Sequence, residues 1–164
     1  MSYYIRLLGG GLLLILSLFV SRGYSAYKDR RIAEAEGFIG LIAHIEGKIS
    51  GFLSHGASLW QGFSDASLEQ IGFLQKLKEG VTLSEAFSLT KAGLSLDCGT
   101  RERLREYFNT FGRGYREDEL RRASCCREAL EADLKKAKEE LEKNVKAVRV
   151  LLLGGSLGII ILLL

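Results

Sequence analysis

The sequence has no proline, one methionine, one tryptophan and two histidines in 164 residues, and its three cysteines are an odd number. Without proline or a Ser/Gly/Asn-rich linker, nothing breaks helices strongly or separates modules, so the 19 glycines do the punctuating. Cys125 and Cys126 are neighbours, which is no disulfide framework and suits a reducing compartment. On a helix they point about 100° apart, so they read as small buried side chains and not as joint ligands of one ion. His44 and His55 form neither an HExxH nor a Cys–His metal pattern, and His44 reads as a side chain packed beside Ile42 and Ile45. A glycine-rich loop ending in Gly-Lys-Ser/Thr is missing, which excludes phosphate-loop ATPase chemistry. Gly112-Arg113-Gly114 has no third glycine or preceding strand and reads as a helix–helix turn. No catalytic, cofactor-binding or metal-binding residues are expected, and the chain reads as non-enzymatic.

Charge is absent from both ends. Of the 23 Lys/Arg and 20 Asp/Glu, all except Arg6 lie between Arg22 and Arg149. In the second half of the chain the two signs are interleaved, so no uniformly basic face is available to follow a phosphate backbone, and nucleic acid is not expected as a partner.

The uncharged run Leu7–Ser21 would span about 22 Å as a helix, short of a bilayer core of about 30 Å. Tyr3, Tyr4, Tyr24 and Tyr27 extend it as interfacial aromatics, and Arg6 can snorkel outward. A cleaved signal peptide is the rival reading of this run. The run Val150–Leu164 is apolar on every face, which a buried core helix at a chain end would have little domain to cover. The expected membrane-spanning residues include Leu7, Leu14 and Phe19 in the first run and Val150, Gly154, Gly158 and Ile160 in the second. Gly154-x-x-x-Gly158 would allow close helix approach. Arg22, Lys28, Arg30 and Arg31 follow the first run, and Lys135, Lys136, Lys138, Lys143, Lys146 and Arg149 precede the second. Both counts put the middle in the cytoplasm. The expected organisation is therefore all-α: a transmembrane helix over 1–24, a cytoplasmic helical bundle over 25–149, and a second transmembrane helix over 150–164.

Within the middle, Ile32, Ala35, Ile39, Ile42, Ile45, Ile49 and Phe52 recur at helical spacing, with Gly56 as a stop. Ser67-Leu-Glu-Gln70 and Thr82-Leu-Ser-Glu85 read as capping boxes, opening helices that end at Gly80 and near Gly93. A helix from about Thr100 to Phe111 faces inward through Leu104, Tyr107, Phe108 and Phe111 and stops at Gly112. From about Arg116 a long helix carries Leu120, Ala123, Leu130, Leu134, Ala137, Leu141, Val145 and Val148, flanked by Glu131–Lys135, Glu139–Lys143 and Glu142–Lys146 pairs, and no breaker separates it from the apolar end.

This order of parts, with the turn Phe108-Asn-Thr-Phe111-Gly112 and the tail from Leu151 to Leu164, resembles the stage III sporulation protein AB family over nearly the whole chain. Where that family has Asp and Gln after the turn glycine, this chain has Tyr115 and Glu119. The resemblance implies a domain similar to the helical cytoplasmic domain of the inner-membrane platform protein of type II secretion and type IV pilus machines. It implies a structural part of the channel joining mother cell and forespore, in the mother-cell membrane around the forespore, required for forespore development. The partners it implies are the membrane and other channel proteins including a secretion-type ATPase, and it is compatible with a homo-oligomer. The helix-turn motif is Phe108, Phe111, Gly112 and Gly114, with Arg113, Arg116 and Glu119 as the candidate partner surface. An unrelated membrane-anchored helical adaptor or oligomerisation module is the alternative.

Overall fold

Apolar residues that return every three or four positions, punctuated by glycines and polar caps, produce helices here and no strand among the described residues. The computed structural model describes residues 2–51 and 59–163, and for 2–14, 16–18, 20, 21, 24, 25, 142 and 144–163 the backbone alone. Phe52, His55, Gly56 and Leu164 lie outside the described residues. The elements are α1 (Ser2–Ser50), α2 (Ala66–Gln70), α3 (Phe73–Lys78), α4 (Leu83–Thr90), a 3-10 turn (Lys91–Gly93), α5 (Cys98–Thr110) and α6 (Arg116–Leu163).

The chain divides into two compact units. One is Arg30–Lys136, and the other joins Met1–Asp29 to Ala137–Leu164. The described residues of the second unit, 2–29 and 137–163, have helical backbone, and the two large apolar side chains described in its first run, Ile15 and Phe19, are 58% and 72% exposed. Among the described residues no helix is long and apolar enough to cross a membrane. The expected spanning side chains of Leu7, Leu14, Val150 and Ile160, and the surroundings of Gly154 and Gly158, lie outside the description.

The Arg30–Lys136 unit is built on α1. Its buried face runs through Ala35, Phe38, Leu41, Ile42 and Ile45, while Ile32, Ile39 and Ile49 are only partly covered. The face is thus rotated from the isoleucine-rich stripe expected, because Phe38 is the hub of the core. Its ring meets Phe73, Phe87 and Phe108 with centroids 5.2, 5.9 and 6.1 Å away. Such aromatic pairs contribute about 0.5–1.5 kcal/mol each beyond area burial. Gly37, unfavourable by helix propensity, has a packing reason. A Cβ there would lie 2.6 Å from Asp65 Oδ1 and 2.7 Å from Ser67 Oγ, so α2 can come this close only to a glycine.

The capping box expected at Ser67 does not form. Asp65 is the N-cap instead, its Oδ1 accepting the backbone N–H groups of Ser67 and Leu68 at 3.0 Å, and the Ser67 hydroxyl donates to the carbonyl of Ala33 at 3.0 Å. The helix expected to run on to Gly80 is broken after Gln70, because Gly72 adopts φ 78° and separates α2 from α3. Thr82 forms its capping box: Oγ1 accepts the Glu85 N–H at 3.3 Å and Glu85 Oε2 accepts the Thr82 N–H at 3.4 Å. In α5, Leu104, Tyr107 and Phe108 are buried as expected, but the helix starts at Cys98 with Asp97 as its cap. The assignment of α6 is uninterrupted from Arg116 to Leu163, with Ala123 and Leu130 buried. Glu131 pairs backward with Arg127 at 2.9 Å. All three cysteines are free. Cys126 is half-buried against the core, but Cys125 is exposed, contrary to the expectation of two buried thiols, since adjacent helical positions cannot both face one core.

Candidate functional site

The helix-turn motif joins α5 to α6. Phe108 is buried, its ring centroid 6.0 Å from Phe73, 5.5 Å from Phe87 and 5.5 Å from Tyr107. Phe111 caps α5 and is partly buried, 5.9 Å from Tyr107. Gly112 reverses the chain at φ 79°, a left-handed conformation that disfavours a side chain. One end of the turn is therefore fixed in the aromatic core.

The other end is held by α6 folding back on the turn. Glu119 Oε1 accepts the Gly114 N–H at 3.0 Å, and Arg122 Nη1 donates to the Thr110 carbonyl at 3.2 Å. Glu119 and Arg122 also pair at 3.6 Å. Gly114 lies directly beneath this guanidinium, since a Cβ there would be 2.2 Å from Arg122 Nη2. Arg116 Nε donates to the Ile49 carbonyl at 2.9 Å and its Nη2 donates to that of Ser50, placing a cation at the C-terminal end of α1. Of the three candidate partner-surface residues, Arg113 and Arg116 are exposed, whereas Glu119 is 6% exposed and turned to the backbone of the turn.

Three buried polar atoms have no hydrogen-bond partner among the described residues: Tyr107 OH in α5, Glu119 Oε2 in α6 and His44 Nε2 in α1. His44 is half-buried beside Phe63, ring centroids 5.5 Å apart, as a packed histidine. Burial drives the Tyr107 hydroxyl well above the usual tyrosine range, with Cys126, Glu119 and Glu46 adding to the shift, so it remains protonated. Burial likewise pushes the Cys126 thiol up to about 11, against the lowering effect of Arg103. Arg127 is raised by hydrogen bonds to Glu131 and then to Glu46, the latter at 3.1 Å between α6 and α1. No group of three or more His, Cys, Asp or Glu is placed to hold a metal among the described residues.

Sequence reasoning missed a second polar cluster. Glu34 is 1% exposed; its Oε1 accepts Arg30 Nε at 2.9 Å and its Oε2 accepts the Ser95 N–H at 2.6 Å. Arg30 Nη2 donates to the Gly93 carbonyl at 3.0 Å, and Arg31 pairs with Asp97. The connection between the 3-10 turn and α5 is thus tied to one end of the α1 core face. Burial opposes ionisation of Asp97, but hydrogen bonds from Thr100 and the Arg31 charge prevail and hold its carboxyl below the usual range. The available signal was the spacing of Arg30, Glu34 and Phe38, which share one helix face.

Residues 6–164 match the family model described as stage III sporulation protein AB (spore_III_AB). The chain belongs to the stage III sporulation protein AB family. The match covers the turn and both apolar runs, and it assigns the chain a role in stage III of sporulation. No curated protein and no solved structure matches it.

Proposed function

We propose that this family member is a non-enzymatic, platform-like component of the channel between mother cell and forespore, required for forespore development. Both ends are anchored in the mother-cell membrane, and the Arg30–Lys136 unit stands in the cytoplasm. The observation that carries this reading is the distribution of charge: two uncharged runs on helical backbone, each with its Lys/Arg cluster on the inner side. The exposure of Ile15 and Phe19 on α1 supports it, because large apolar side chains left uncovered by the chain itself suit a lipid environment.

The non-enzymatic part is read from how the charged groups are used. Glu34, Asp97, Glu119, Arg122 and Arg127 each hold backbone groups or one another across helices, which is the chemistry of a scaffold. Co-purification of the full-length chain from sporulating cells in mild detergent tests the reading. Recovery with other channel proteins, including a secretion-type ATPase, is expected; recovery with an unrelated set of membrane proteins would favour a general helical adaptor.

A further inference from the structure

Chain reversal between α5 and α6 needs only Gly112. The turn is nevertheless held at three further points: the Gly114 N–H on Glu119, the Thr110 carbonyl on Arg122, and the Gly114 α-carbon beneath the Arg122 guanidinium. Glu119 is taken almost wholly out of water to do this, with Oε2 left without a partner among the described residues, at a desolvation cost. What this rigid backbone presents outward is Arg113 and Tyr115. Tyr115 is 87% exposed, more than any other large apolar side chain described, and Arg113 is exposed with no ion pair among the described residues. Tyrosine and arginine are among the side chains that most often dominate protein–protein binding, and holding the backbone that carries them removes the backbone part of the entropy cost of ordering the turn on contact.

We infer that the α5–α6 turn is a preorganised docking tip for a protein partner, whose surface offers a recess for the Tyr115 ring and a carboxylate opposite Arg113. A protein face is favoured over a polyanion by the charges that follow. Glu117 is exposed in the first turn of α6, where it would be repelled by anionic headgroups or phosphates, and the neighbouring Asp118 is paired with Arg121 at 3.2 Å. A protein surface can set a carboxylate against Arg113 and still accommodate Glu117. The inference rests on this turn alone and is independent of the membrane topology proposed above, which reporter fusions test separately.

The test uses the full-length chain in sporulating cells, with a photo-crosslinking p-benzoylphenylalanine in place of Tyr115. Irradiation is expected to give a discrete protein adduct whose crosslinked peptide, sequenced by mass spectrometry, contains Asp or Glu close to the attachment point. The same probe at exposed Leu89 should give no such adduct. Arg113→Glu should lower its yield roughly tenfold or more, and Arg113→Lys should largely retain it. Both positions are exposed, so unchanged membrane levels and protease resistance are expected of these variants. Gly114→Ala, which forces the Arg122 guanidinium off the turn while keeping the Arg113 and Tyr115 side chains in the sequence, should lower the yield about threefold. Crosslinking only to lipid, nucleic acid or a second copy of this chain, an adduct indifferent to Arg113→Glu, or no adduct at all would overturn the inference. An adduct indifferent to Gly114→Ala would remove preorganisation from it.

Discussion

Replacing Glu34 removes the most deeply buried carboxylate described, and the consequence can be worked through group by group. In Glu34→Ala the Ser95 N–H, in a buried residue, loses a charge-assisted acceptor at 2.6 Å, a loss of about 1.5–3 kcal/mol. One buried methylene also goes, worth about 0.8 kcal/mol. Breaking a buried ion pair often costs more because the partner charge is stranded, but the Arg30 side chain is 47% exposed and returns to water. The expected total is therefore about 2–4 kcal/mol, a large fraction of the stability of an ordinary domain. Glu34→Gln keeps an acceptor for Ser95 and loses only the charge, so about 1 kcal/mol is expected. Urea unfolding of a fragment covering residues 27–146, expected to fold alone with a helix-dominated circular dichroism spectrum, reads this through Trp60. That single tryptophan is partly buried against the core. At a slope of about 1–2 kcal/mol per M, Glu34→Ala should lower the midpoint by at least about 1 M. An unchanged midpoint, or a Gln variant as damaged as the Ala variant, would show that the Glu34–Ser95 bond does not hold the fold.

The folded-state pKa of Asp97 lies below its unfolded value near 3.8, so its contribution to stability is complete above that value and lost as pH falls through the folded pKa; acid unfolding below about pH 4 should be less steep in Asp97→Asn, which keeps a good cap but cannot titrate. The Cys126 thiol, raised to about 11 and half-buried, should react with iodoacetamide at pH 8 at least about tenfold more slowly than exposed Cys98 and Cys125, and equal rates in peptide mass mapping would contradict the assigned packing. Gly72→Ala should destabilise the fragment by about 1 kcal/mol, because φ 78° strains any Cβ there, whereas Gly47→Ala, with nothing within 4 Å of its added Cβ in α1, should be neutral or stabilising in the same urea assay.

Features whose cause is local were legible in the sequence. The Thr82–Glu85 box, the stop at Gly112 and the inner face of α5 each follow from residues three or four apart, and they stand in the structure as read. What was misread depends on residues distant in sequence. Ser67 and Asp65 both had the chemistry of an N-cap; the close approach of α2 to Gly37 and the carbonyl of Ala33 engages the Ser67 hydroxyl elsewhere. The α1 face was placed along its isoleucines, but the neighbours that select Phe38 as the hub come from α3, α4 and α5. The spacing of Glu34 with Arg30 and Phe38 put it on the core face of its helix, but its partner Ser95 lies 61 residues away and could not be read from that spacing. At the turn, the glycines and phenylalanines were visible as a motif, whereas the inward turn of Glu119 and the outward turn of Tyr115 are decided by how α6 docks on α5.

The proposed topology, with both ends of the chain in the membrane and the helical unit in the cytoplasm, is tested by reporter fusions. Alkaline phosphatase, which is active only outside the cytoplasm, should be active when joined after Leu164 and inactive when joined after Gly114. Activity at Gly114 with none at Leu164 would contradict that topology.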